Sequence, residues 1–388
     1  MFKDFTPAEL RAVSIISFAV AVRMLGIFLL LPVLSPYASS LSGATPALVG
    51  LSVGIYGLSQ SLLQVPFGYL SDIFGRKPII AIGLFSYIVG SFMCAAASDV
   101  RFLVFGRLVQ GVGAVSSAIT ALSADLIREN VRARAFALIG ASIALVFIFS
   151  MIASPTLASS FGVPFLFYLT AFFSAIAIFV VIFGINEPQR KNKLPPFSYA
   201  LKVAISQRLA FFNISVTLLH TYVSSVFTIL PSILIKDLGL EKAKHWYIYA
   251  PSVIVAVAIL LPLVALVEKN KAFRQGFVWS VLSIVFSCLS LLGFKNTLVA
   301  IFVLTVFFVG FNLLESTLPS LLLRFVSEES RGAALGWYNT YQFLGVFIGG
   351  LLGAVGLALG ILYFALISLL IGLIWLIGGL IWFKNARV

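Results

Sequence analysis

Apolar positions in this chain come in long unbroken runs, without the alternation of a half-buried strand. The first run starts near Ala12, after Lys3, Asp4, Glu9 and Arg11, and continues to about Leu34. Thr6-Pro7-Ala8-Glu9 marks its helical start. Thr6 is the N-cap, Pro7 takes the first helical position, and Glu9 closes a capping box. No small-residue cleavage pattern is present, so the run reads as a retained transmembrane helix and not a signal peptide. Comparable runs recur at about 46–70, 78–98, 102–124, 135–157, 164–185, 210–235, 246–267, 275–293, 297–323, 333–356 and 361–383. A hydrocarbon core of ~30 Å takes roughly 20 helical residues. Lipid offers backbone groups no partner, which leaves only helices or closed barrels. The pattern therefore predicts an all-α integral membrane protein of twelve helices. A polar linker, 187–209, divides them six and six, giving an N-terminal bundle over 1–186 and a C-terminal bundle over 210–388.

Composition agrees with the pattern. Hydrophobic residues make up 61% of the 388 and charged residues 10%, against roughly 45–50% and 25% in soluble domains. Mean hydropathy is +1.11. The net charge of +13 taken alone fits nucleic acid or an anionic surface. Placement decides between them. With twelve spans, 19 of the 26 Lys and Arg fall on the side that holds the termini, including Arg76, Lys77, Arg128, Arg132, Arg134, Arg190, Lys191, Lys193 and Lys202. Five (Arg101, Lys236, Lys242, Lys244 and Lys295) fall on the other side, and Arg23 and Arg107 lie within spans. The positive-inside rule then puts both termini and the linker in the cytoplasm. The charge is a topology signal, and no nucleic-acid partner is expected.

The halves echo one another. Leu31-Pro32 and Leu230-Pro231 are 199 residues apart, as are Arg132 and Arg331. Pro66 and Asp72 match Pro262 and Glu268, each pair six apart. In order, these argue for two parallel six-helix repeats, a design that holds substrate between the halves near the midplane and rocks one against the other.

Charges inside spans are costly, roughly 2.5–3.5 kcal/mol on the insertion scale, so they mark functional candidates. Glu315 is the sole acidic side chain deep in a span and the first proton-carrier candidate; its competing role is a structural ion pair. Arg23, about eleven residues into its run, is too central to snorkel easily. It is placed to contact substrate or an acidic group such as Glu315 across the cavity. Arg107 and Gln110 lie one turn apart and can donate hydrogen bonds to substrate, though Arg107 lies nearer the outer interface. His220 is a second proton candidate, since imidazole changes charge near neutrality; a lone histidine is more often a satisfied hydrogen-bonding group. Asn312, Gln60, Gln64, Tyr338, Asn339, Tyr341 and Gln342 are cavity candidates, with Tyr56 and Trp337 as aromatic walls. Their competing role is interhelical bonding. Gly345, Gly349, Gly350 and Gly353 in span eleven read as close helix packing. Cys94, Cys288, His220 and His245 lack metal-site spacing, so no metal or other cofactor is expected. No Gly-rich Lys-Ser/Thr phosphate loop is present, which argues against direct ATP use. No nucleophile–base pair emerges either, so an enzyme is not expected.

Between spans two and three runs Gly68-Tyr69-Leu70-Ser71-Asp72-Ile73-Phe74-Gly75-Arg76-Lys77-Pro78. Gly75 allows a sharp turn and Gly68 a close helix contact. Asp72, at a helix end, can face the positive dipole end of a neighbouring helix. The string resembles the G-x-L-x-D-x-x-G-R-K signature of the major facilitator superfamily. Arg107-Leu108-Val109-Gln110-Gly111-Val112-Gly113-Ala114 resembles that family's R-x-x-Q-G-x-G-A motif in span four. Ser150 to Pro155, followed by Ala158-Ser159, is similar to its antiporter motif with glycines replaced by Ser and Ala. Further segments, among them Arg23-Met24-Leu25-Gly26 and Asn312-Leu313-Leu314-Glu315, are similar to the bacterial YajR-like drug/proton antiporters. The resemblance implies that Asp72 latches the outward-open state by facing the start of span eleven, and that Arg76 pairs with Asp125 at the end of span four. It also implies that the soluble C-terminal domain of some relatives is missing here.

The expected function is secondary active transport. The resemblance makes it proton-coupled antiport of drug-like or amphipathic molecules across a bacterial inner membrane, by a monomer. An exporter of sugars or other metabolites is the alternative, and two arginines against one carboxylate leave room for an anionic substrate. A membrane sensor without transport is the alternative from another class.

Overall fold

The computed structural model describes residues 4–187, 207–293, 296–326 and 331–386. Residues 188–206 of the linker, with Arg190, Lys191, Lys193 and Lys202, lie outside the described residues, as do Lys3, Lys295 and Arg387. The first helix, α1 (Pro7–Phe28), opens on the expected box. Thr6 Oγ1 accepts from the Glu9 amide at 3.2 Å, and Glu9 Oε2 accepts from the Thr6 amide at 2.9 Å. The helix stops short of Leu34. Pro32 has no N–H to offer the carbonyl four residues back, and turns over 29–33 lead into a short α2 (Leu34–Ser40).

The chain continues through α3 (Pro46–Phe74), α4 (Arg76–Ala95), α5 (Val100–Gly111), α6 (Ser116–Leu126), α7 (Glu129–Phe161) and α8 (Val163–Gly184). After the linker come α9 (Gln207–Lys236), α10 (Trp246–Lys269), α11 (Phe273–Ser290), α12 (Thr297–Leu322), α13 (Arg331–Leu359) and α14 (Ile361–Ala386). Twelve spans among the described residues are long and apolar enough to cross a membrane, α5 and α6 together forming the fourth. This is a multi-pass, all-helical membrane fold. Large apolar side chains such as Phe85, Phe172, Phe183 and Trp279 point outward, as expected where the solvent is lipid. Cys94 and Cys288 are buried and unlinked.

The fourth span departs from the continuous helix its apolar run predicts. Its ladder is interrupted over 112–115, between α5 and α6. Gly111 lets α5 close on α3, where an added Cβ would lie 2.6 Å from the Tyr56 carbonyl oxygen. Within the interruption the Gly113 carbonyl accepts from the Val115 amide at 2.9 Å and, outside the ladder, from Gln60 Nε2 at 3.1 Å. A buried break is tolerated in a membrane when side chains satisfy the freed groups in this way.

The second and eleventh spans meet closely. A Cβ on Gly50 would lie 2.3 Å from the Gly350 oxygen, and one on Gly350 would lie 2.4 Å from the Gly50 oxygen. On its other flank α13 is clasped by α9. Thr217 Oγ1 donates to the Tyr341 carbonyl at 3.0 Å, Thr221 Oγ1 to Gly345 at 3.2 Å and Ser224 Oγ to Val346 at 2.9 Å. Ser35 of α2 adds a bond to the Thr228 carbonyl at 2.7 Å. Hydroxyls that reach a second helix's carbonyls hold helices together where no hydrophobic force can.

Candidate functional site

The loop between α3 and α4 is organised by Gly75 and Arg76. Gly75 has φ +105°, a conformation side-chain-bearing residues rarely adopt. The turn points Arg76 back across three helices. Its Nη2 lies 2.5 Å from Asp72 Oδ1, its Nε 3.0 Å from Asp125 Oδ2, and its Nη1 donates to Ser71 Oγ at 2.7 Å. The planar guanidinium suits this multi-way contact. Gly68 faces α6, where a Cβ would lie 3.1 Å from Ser117 Oγ.

The start of α4 carries an anion that the sequence did not point to. Glu187 accepts from the Arg76 amide at 2.5 Å and the Lys77 amide at 3.0 Å. Lys77 Nζ donates to the Ile185 carbonyl at 2.6 Å. Glu187 thus holds the start of α4, and Asp72 pairs with Arg76; residues 327–330, which lead into span eleven, lie outside the described residues. A carboxylate on freed N–H groups satisfies them and complements the dipole.

At the centre, α9, α12 and α13 bring His220, Glu315 and Gln342 together. Gln342 Nε2 lies 2.8 Å from His220 Nε2 and donates to Glu315 Oε1 at 3.3 Å. His220 Nδ1 lies 3.1 Å from the Val216 carbonyl. That carbonyl can only accept, so the network assigns the proton of a neutral ring to Nδ1, leaving Nε2 to accept from Gln342. His220 Nε2 is 3.7 Å from Glu315 Oε2, and the Glu315 side chain is 35% exposed. The side chain is thus partly exposed, yet Oε2 itself is buried and has no hydrogen-bond partner among the described residues. Tyr338 is buried one turn before Gln342, its hydroxyl without a hydrogen-bond partner. Asn312, one turn before Glu315, donates to the Phe308 carbonyl of its own helix at 2.8 Å.

Arg23 and Arg107 form a separate constellation. Arg23 does not pair with Glu315. Its Nη2 donates to Gln60 Oε1 at 3.2 Å, and its Cζ lies 5.3 Å from the centre of the Phe343 ring. Gln60 Nε2 also donates to the Tyr56 hydroxyl at 3.1 Å. Arg107 Cζ lies 4.7 Å from the centre of the Tyr56 ring. Its Nη1 donates to Gln110 Oε1, its Nε to the Ser52 carbonyl at 3.3 Å, and Gln110 Nε2 donates to Ser91 Oγ at 2.8 Å. Both arginines are buried in the protein. For Arg107 the reason is local: Gly90 and Gly111 bring α4 and α3 against α5 and enclose its polar face.

The profile of the Major Facilitator Superfamily matches residues 16–350. The chain is 36% identical to the inner membrane transport protein YajR of Escherichia coli (strain K12), over 90% of this chain and 78% of that one. It is 27% identical to the quinolone resistance protein NorA of Staphylococcus aureus (strain COL), over 88% and 89% of the two chains. Its fold matches the crystal structure of a bacterial homologue of the human lysosomal transporter Spinster, with a TM-score of 0.78 at 12% identity, covering 98% of this chain and 99% of that one. The relatives are transporters and not enzymes. A twelve-span fold, the Asp72–Lys77 turn and a family match over most of the length agree, and the chain belongs to the major facilitator superfamily.

Proposed function

We propose that this transporter is a proton-coupled exporter of drug-like or amphipathic molecules, working as a monomer by alternating access across a bacterial inner membrane. In this reading 1–186 and 210–388 are the two moving halves, and the termini are cytoplasmic. The drug-like class is supported by similarity to NorA, a protein named for quinolone resistance. Proton coupling is supported by one observation above all: Gln342 of α13 is shared between His220 of α9 and Glu315 of α12.

The chemistry follows from the sharing. With His220 neutral and Glu315 ionised, Gln342 donates to both. A proton on Glu315 removes the charge that makes its bond to Gln342 strong. A proton on His220 Nε2 turns that nitrogen from acceptor to donor. Gln342 must then turn, and the imidazolium faces Glu315 Oε2 instead. Either event changes how α13 is held, and α13 is the helix that closes against α3. A ligand or proton shifts a two-state equilibrium only through such a differential contact.

Reconstitution into vesicles with an imposed pH gradient tests the reading, using matched cationic, neutral and anionic compounds. The wild type should move protons against its substrate. Glu315→Gln should keep substrate exchange but lose its response to the gradient. Efflux that still follows the gradient in Glu315→Gln would remove Glu315 as the proton site.

A further inference from the structure

The two buried arginines have no role in the proton chemistry above, and they lack what a buried cation ordinarily has. Among the described residues, neither Arg23 nor Arg107 has a carboxylate within 4.0 Å. Their relative exposures are 3% and 4%. Each carries a full charge, since guanidinium does not lose its proton in proteins. Neutral partners satisfy some of the donors, but Arg23 Nε has none, and neither does the Nε2 or Oε1 of Gln64, one turn along α3 from Gln60. Water can satisfy such atoms, but it leaves two positive charges uncompensated in a low-dielectric interior.

The two cations share one aromatic and amide frame. Gln60 is hydrogen-bonded to Arg23 on one side and to the Tyr56 hydroxyl on the other, and Arg107 lies over the Tyr56 ring. Phe343 covers the frame from α13, its ring centre 6.4 Å from that of Tyr56 and edge-on to it. From this we infer that Arg23 and Arg107 form the binding site for the anionic head of the transported substrate. The frame of Tyr56 and Phe343 receives an aromatic or apolar body beside that head. Resting on the transport reading above, this makes the substrate class amphipathic organic anions, carboxylates among them. In the present conformation the site lies beneath α13, and a separation of α13 from α3 lifts Phe343 away and uncovers both guanidiniums. A guanidinium offers two parallel N–H donors that match a carboxylate's two oxygens.

The test uses the purified full-length protein in detergent, without a pH gradient. The probes have a naphthalene or a biphenyl body, each with a carboxylate, a carboxamide or an aminomethyl head. Affinity is read from the concentration dependence of the thermal unfolding midpoint. For wild type, each carboxylate should bind about tenfold or more tightly than its carboxamide, and the aminomethyl compounds most weakly. Arg23→Gln and Arg107→Gln should each bring the carboxylate and the carboxamide close to parity. Arg23→Lys and Arg107→Lys, which keep the charge, should retain most of the preference. Equal affinity for carboxylate and carboxamide in wild type overturns the inference. So does tighter binding of the amines, the absence of binding by all six probes, or an undiminished preference in a folded Gln variant. If neither Gln variant folds, the wild-type series and the Lys variants decide. Loss of anion preference leaves the proton reading standing, and unchanged proton coupling in Glu315→Gln leaves the anion site standing.

Discussion

The α3–α13 pair is built differently at its two ends. Away from the termini, the helices touch backbone to backbone. A Cβ on Gly54 would lie 2.7 Å from the Phe347 oxygen, and one on Gly57 would lie 2.5 Å from the Phe343 oxygen. Toward the termini, Gly332 and Gly336 of the same α13 have no such neighbour within 4 Å. There the chain is held by ions within its first half. Arg76 joins Asp72 and Asp125, and Arg128 Nε clasps Glu9 at 2.8 Å. One end is closed by shape between distant spans, the other ordered by charge among nearby ones. Steric contacts between glycines form only at close approach, whereas ion pairs tolerate small movements. Close glycine contacts thus mark the end of the α3–α13 pair away from the termini.

The comparison can be broken from either end. The largest effect is expected for Gly350→Leu, whose Cβ alone would overlap Gly50 and Gly54. Overpacking of this kind costs about 1–3 kcal/mol or more, and transport in vesicles should be abolished. Gly332→Leu, with open space around it, should transport normally and serve as its control. Equal behaviour of the two would sink the steric account. Next in size is Arg76→Gln, which strips Asp72 and Asp125 of their shared cation. Partial exposure of both carboxylates limits the loss to roughly 1–3 kcal/mol, measurable as a lower thermal midpoint that added salt does not restore. Glu187→Ala leaves two amides of α4 without their acceptor and should cost about 0.5–2 kcal/mol, as for a lost helix cap; Glu187→Asp should lose less. The smallest change is Ser35→Ala, one hydrogen bond between α2 and α9, about 1 kcal/mol or less. Its sharper readout is faster cysteine labelling on the far side, and an unchanged labelling rate would show that this bond does not help hold that end closed.

How much of this was legible in the sequence varies with the range of the interaction. Span count, the Thr6–Glu9 box and the turn at Gly75 are local, set by run length, capping chemistry and φ. The close packing of span eleven was legible too, because small residues recur through Gly345, Gly349, Gly350 and Gly353. The interruption of span four was not, since apolar character continues across it and only Gly111 and Gly113 hint at it. Glu187 escaped notice because its partners lie 110 or more residues earlier in the chain. His220, Glu315 and Gln342 were each visible as polar positions in apolar runs, but their meeting depends on how α9, α12 and α13 pack. The suggested Arg23–Glu315 pair went astray for the same reason: charge alone proposed it, while Gln60 and Phe343 occupy the space around Arg23.

The interruption at 112–115 turns the fourth span into two rods with a joint. Arg107 rides on the rod remote from the termini, and Asp125, held by Arg76, rides on the other. A tilt of α6 with the charged turn can be taken up at the joint, where short-range bonds replace the regular helical ladder. Gln60 is bonded to the joint through Gly113, and to Arg23 and Tyr56 as well. A shift of the joint therefore passes to the arginines through this amide, and to Arg107 also through Gln110, whose carbonyl accepts from the Gly113 amide at 3.3 Å.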